Sequence, residues 1–113
     1  MTRVTRRPTA QPETPELRRL RRQIDALDRR IVALLNERAE LARAAGRAKT
    51  VQGRRAIRDS EREREVLLRV TMANEGPLGQ SDLLALYRRL MIATRALEAR
   101  DRARGEPGEG DGA

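Results

Sequence analysis

The sequence predicts an all-α protein, a three-helix chain whose first helix is much longer than the others. Three observations carry that prediction. Apolar residues recur at alternating three-and-four spacing over long stretches. Short Gly- and Pro-containing breaks separate those stretches, and helix-starting residues stand at their beginnings.

Helix 1 starts at Thr14-Pro15, a hydroxyl cap followed by proline at the first helical position. Leu17, Leu20, Ile24, Leu27, Ile31, Leu34, Leu41, Ala45 and Ala48 then form a heptad seam that reaches about residue 49. Val51-Gln52-Gly53 ends it. Helix 2 begins near Asp59 or Ser60, where Ser60 and Glu63 have capping-box spacing. Its apolar stripe is Val66, Leu67, Val70 and Ala73, and Asn74-Glu75-Gly76-Pro77 is its stop. Helix 3 is expected to be capped by Ser81 and carries Leu83, Leu84, Leu86, Tyr87, Leu90, Met91 and Leu97.

A chain of 113 residues allows one small domain. The expected division is a basic, disordered tail over 1–13, a helical domain over 14–103 and a flexible acidic tail over 104–113. Cysteine and histidine are both absent. That removes disulfides, the usual zinc ligands and the commonest general base. No apolar run approaches the roughly 18 residues of a membrane span, and no hydrophobic segment follows the N-terminal arginines. A cytoplasmic protein is the expectation. The net charge of +8 invites a nucleic-acid reading. Against it, acidic residues are interspersed with the arginines, and Tyr87 is the lone aromatic residue available for stacking on bases.

Helix 1 constrains the assembly. Some 34 residues make a rod of roughly 50 Å, longer than a compact domain of this size. The seam continues along the projecting part, so another surface must cover it. A second copy packed antiparallel about a two-fold axis does so economically. A purely structural coiled coil satisfies the same argument.

Several charges stand where the pattern asks for apolar residues. In the series Leu17, Ile24, Ile31, Arg38, Ala45, position 38 alone is charged. A buried arginine needs an anion or hydrogen-bonding partners. A glutamate across a dimer or a register device serves as well as a ligand. Lys49 is the sole lysine among 25 basic residues, which suggests a site suited to a compact ammonium. It lies about 20° around and some 16 Å along the helix from Arg38, so both side chains can lean toward one small anion. Arg21 is roughly 25 Å from Arg38 along the same rod. It can meet that region only from the other chain of an antiparallel dimer, and otherwise it is a surface arginine. Asp59, Arg62 and Glu63 open helix 2, where ordinary capping and charge pairing are the favoured explanation of the residues taken alone. The stripe Leu84, Tyr87, Met91 continues into Thr94 and Glu98, which indicates either a polar cavity or a helix end emerging into solvent.

The runs LRRLRRQIDALDRRIVALLNERAELARAAGRAK, IRDSEREREVL and LYRRLMIATRALE resemble the all-helical chorismate mutases. The motifs are L-R-x-x-I-D-x-L-D, L-L-N-E-R, G-R-A-K and R-D-x-x-R-E, in family order over about residues 17–98. The resemblance implies a three-helix protomer intertwined as a homodimer with two active sites. It implies that Arg38, Lys49 and Arg62 bind substrate from one protomer and Arg21 from the partner. Asp59 and Glu63 would hold the substrate hydroxyl, Asp59 through its backbone. Thr94 falls where the family often has serine, and Glu98 where many bacterial members have glutamine facing the breaking ether bond. The loop after Lys49 is slightly longer than in some relatives.

Chorismate carries two carboxylates and rearranges to prephenate without a nucleophile or a proton transfer, so the missing His and Cys are no obstacle, and the resemblance implies no metal or organic cofactor. What is required is restraint of the side arm over the ring, which arginine forks supply, and stabilisation of charge growing on the ether oxygen. Isochorismate pyruvate-lyase and aminodeoxychorismate mutase activities use similar cationic pockets on the same fold. A basic helical nucleic-acid binder is the reading from another class.

Overall fold

The structure, a computed structural model, describes residues 11–53 and 59–111, and side chains through 105. Residues 1–10 of the expected N-terminal tail and residues 54–58 of the loop after Lys49 lie outside the described residues, as do 112–113. Three helices occur, α1 (Pro15–Val51), α2 (Ser60–Ala73) and α3 (Gln80–Asp111), with no strand among the described residues.

Thr14 caps α1 as its sequence predicts: the hydroxyl oxygen accepts the Leu17 N–H at 3.1 Å, and Pro15 occupies the position whose missing donor costs nothing. α1 closes at Val51, where Gly53 takes φ +85°, a conformation that favours glycine. The stretch Pro15–Glu37 and the stretch from Arg38 onward are distinct units. In the first, Leu17, Leu20, Ile24, Leu27, Ile31 and Leu34 are all exposed, from 38% at Leu17 to 58% at Leu34.

In the second unit, residues 38–51 of α1, α2 and α3 pack together. Val66 on α2 and Met91 on α3 are its buried apolar side chains. Arg43 ties α1 to α3 through a two-point contact with Asp101, Nε to Oδ2 at 2.7 Å and Nη2 to Oδ1 at 3.0 Å. The fork also holds the Asp101 carboxyl below its ordinary range, first by hydrogen bonding.

α2 starts at Ser60, where the sequence places it, but its cap and the cap of α3 differ from the sequence reading. Asp59, not Ser60, caps α2: its Oδ1 accepts the Arg62 N–H at 3.0 Å. Glu63 does not complete a box with Ser60, because Ser60 is already helical and the Glu63 carboxylate meets Arg95 on α3. α3 starts at Gln80, which puts Ser81 inside the first turn, not at the cap. Asn74 organises the connection between α2 and α3. Its Nδ2 donates to the Leu78 carbonyl at 3.1 Å and to Gln80 Oε1 at 3.0 Å, while its Oδ1 accepts the Gly76 N–H at 2.9 Å. Gly76, at φ +81°, makes the turn that a side chain would strain. α3 continues through Asp111, past residue 103 where the helical domain was expected to end. Nothing in Gly105-Glu106-Pro107-Gly108 explains those last turns. Among the described residues no helix is long and apolar enough to cross a membrane.

Candidate active site

A cavity of about 420 Å³ opens where α1, the start of α2 and the middle of α3 meet. That volume lies in the range that holds a small organic ligand. From α1 it receives Arg38, Leu41, Ala42, Ala45 and Lys49, a single face by helical spacing. The alanines leave room that longer side chains would fill. The first turn of α2 contributes Asp59, Arg62 and Glu63, with Val66 behind them. α3 contributes Met91, Thr94, Arg95 and Glu98.

The interrupted seam is explained within the chain. The Arg38 guanidinium stands 5.8 Å from the centroid of the Tyr87 ring, inside cation–π range. A ring against the guanidinium face uses none of its N–H donors. Arg38 thus has an aromatic partner, and the lone tyrosine of the sequence has a purpose beyond filling an apolar stripe.

Lys49 and Glu98 are half-buried on facing helices. Burial pushes the Glu98 carboxyl above the ordinary glutamate range. Lys49 pulls in the opposite direction, Asp101 adds to the rise, Arg95 opposes it and Glu63 adds to it, and burial prevails. Glu98 also lies against Gly46, where an added β-carbon would stand 3.6 Å from Oε2.

The remaining polar groups are already engaged. Arg62 donates through Nη1 to Glu65 at 2.6 Å, and this contact holds the Glu65 carboxyl low. The Thr94 hydroxyl donates to the Leu90 carbonyl at 2.9 Å, the common back-bond of a helical threonine. Asp59 uses one carboxylate oxygen for the cap. Arg95 donates through Nη1 to Glu63 Oε2, and both side chains are largely withdrawn from solvent.

Of the residues singled out from the sequence, Arg38, Lys49, Asp59, Arg62, Glu63, Thr94 and Glu98 all line this cavity. Arg21 is outside that lining set. It sits on the Pro15–Glu37 stretch, exposed, with its guanidinium on the Glu13 carboxylate. Arg95 escaped sequence reasoning. Its signal was present: it is four residues after Met91 and so shares the stripe that carries Thr94 and Glu98. Among the described residues no three His, Cys, Asp or Glu side chains are grouped to hold a metal ion. In chemical terms the cavity can bind an anion, hold it against an apolar wall and present an ammonium and a carboxyl of raised pKa to it.

Residues 20–99 match the family model described as chorismate mutase type II. The chain is 38% identical over 90 residues to a bifunctional chorismate mutase/prephenate dehydratase of Stutzerimonas stutzeri, covering 76% of this chain and 25% of that one. It is 38% identical over 87 residues to the protein of the same name from Aquifex aeolicus, covering 74% and 24%. The chain thus spans about a quarter of the length of these bifunctional relatives. Among solved structures, chorismate mutase (Form II) from Thermus thermophilus superimposes with a TM-score of 0.70 at 33% identity, covering 75% of this chain and 96% of that one.

Proposed function

Because the chain belongs to the chorismate mutase type II family, we propose that its cavity rearranges chorismate to prephenate, an isomerase step in aromatic amino acid biosynthesis. The observation that carries this reading is the convergence of Arg38, Lys49, Asp59, Arg62, Glu63, Thr94 and Glu98 on one cavity of small-molecule size. The reading extends to a cytoplasmic enzyme with residues 14–103 as the catalytic domain.

The reaction breaks the ether C–O bond as a new C–C bond forms, in one pericyclic step. Arg38 and Arg62 bind the substrate carboxylates and hold the side arm over the ring, which removes the entropy of reaching the reactive geometry. Lys49 places its ammonium at the ether oxygen, where negative charge grows as the bond breaks. Glu98, with its pKa raised by burial, donates a hydrogen bond to the same oxygen while it keeps its proton. Glu63 accepts from the substrate hydroxyl, and Asp59, tied to its cap, offers its backbone.

The reading includes a homodimer in which Arg21 is donated to the partner's cavity. What supports it is the row of exposed leucines and isoleucines between Leu17 and Leu34, apolar surface that water disfavours and a second copy would cover. The test of the activity is consumption of chorismate by the purified protein with prephenate identified as product. Isochorismate and aminodeoxychorismate are assayed beside it. No chorismate consumption, or preferred turnover of either analogue, overturns the reading.

A further inference from the structure

Arg95 is the cavity cation that neither the sequence motifs nor the proposed chemistry uses. Its guanidinium bridges α3 to α2 by donating to Glu63, and both side chains line the cavity, 25% and 17% exposed. A half-buried ion pair adds little net stability, since desolvation offsets most of the attraction. Its position gives it another consequence. A carboxylate facing a cavity that takes a dianion repels the ligand unless a cation matches it.

We propose that Arg95 is a positioning residue: it fixes the Glu63 carboxylate and offsets its charge, so that a dicarboxylate substrate meets Arg38 and Lys49 without an opposing charge. The proposal rests on the chorismate reading above. It does not require Arg95 to touch substrate. The same guanidinium acts on Glu98, whose carboxyl is faced by Lys49 from α1, Glu63 from α2, and Arg95 and Asp101 from α3. Loss of Arg95 removes one of the two cations that hold the Glu98 proton loosely and leaves Glu63 to hold it more tightly.

The experiment is a double-mutant cycle between positions 95 and 63, read by steady-state kinetics with chorismate. In the wild-type background, Arg95→Leu is expected to raise KM about tenfold or more with a smaller change in kcat. In the Glu63→Gln background the same substitution should change KM by less than about threefold, because no carboxylate is left to match. Arg95→Lys, which keeps the charge, should retain a KM near that of the wild type. Arg95→Gln replaces the leucine variant in the cycle if the latter does not fold. Equal effects of Arg95→Leu in both backgrounds, or a fall in thermal stability with KM unchanged, overturn the proposal and leave a purely structural ion pair. If the wild-type protein does not consume chorismate, the functional reading itself fails. The proposal, which concerns how that dicarboxylate is bound, is then overturned with it, whereas turnover by the wild type with equal effects in both backgrounds overturns the proposal alone.

Discussion

The carboxyl of Glu98 lies over Gly46 across the α1–α3 contact: a β-carbon at position 46 would stand 3.6 Å from Oε2, 3.8 Å from Cδ and 3.9 Å from Cγ. These are ordinary contact distances, so the glycine is not demanded by a clash. What it leaves is open backbone beside a titrating group.

Gly46→Ala should therefore be accepted. It should stabilise α1 by about 0.5–1 kcal/mol through helix propensity. The added methyl also replaces solvent beside Glu98 and should push its pKa further up. Thermal denaturation checks the first effect, and the pH dependence of turnover checks the second. A destabilised protein would mean that the α1–α3 approach is tighter than these distances.

Glu98 sets the pH behaviour of the proposed reaction. Its protonated form can donate to the ether oxygen, whereas its carboxylate opposes the growing charge there, so turnover should fall as pH rises through the elevated pKa. Glu98→Gln should abolish that fall and raise turnover at neutral and alkaline pH. Stability carries the same sign. Between the ordinary glutamate range and the higher folded value, the folded chain holds a proton that the unfolded chain has released, so stability falls as pH rises across that window. Glu98→Gln should raise the melting temperature above the window and leave it unchanged below. Coincident pH–rate profiles for the two proteins would remove Glu98 from the reacting oxygen.

Lys49 tests the electrostatic part of the mechanism. Lys49→Met should lower turnover roughly 10²–10³-fold, the usual loss for one preorganised donor at a developing oxyanion. Folding stability should change far less. Lys49→Arg should also be poor, because a planar fork cannot place its charge at the same point. Turnover near that of the wild type in either variant would return Lys49 to a surface role.

The proposed dimer is tested by complementation. Arg21→Ala and Arg38→Ala should each be nearly inactive. In a heterodimer, one of the two cavities would then receive neither lesion, so mixing the variants should restore part of the activity. Exchange into heterodimers, established by native mass spectrometry, with no recovery would show that Arg21 is not donated across the interface.

Local signals were legible where a residue acts on its own helix. The cap at Thr14, the stop at Asn74 and the break at Gly53 all follow from backbone chemistry within a few residues. Arg38 was legible because it broke a heptad, and Lys49 because arginine supplies the other basic residues. Arg95 carried a weaker signal: it shares the stripe of Thr94 and Glu98, but one more arginine among so many has little contrast, and its partner Glu63 is 32 residues away. The Arg38–Tyr87 contact was hidden because Tyr87 fits its own apolar stripe, and only the meeting of α1 with α3 joins it to Arg38. The start of α2 was legible to within a residue, but its cap was not decided, because Asp59 and Ser60 are both good caps. In the structure Asp59 takes the cap, and the Glu63 carboxylate meets Arg95 on α3.

The solitary lysine has a use for the bench chemist. Arginine stays protonated and unreactive toward the acylating and reductive-alkylating reagents that modify amines. Lys49 carries the sole ε-amine of the chain, and it lines the cavity. An amine-directed probe of modest size therefore has one side-chain address, and that address is inside the pocket. A fluorophore or isotopic methyl installed there would report on occupancy from a defined point, and a bound ligand would slow its installation.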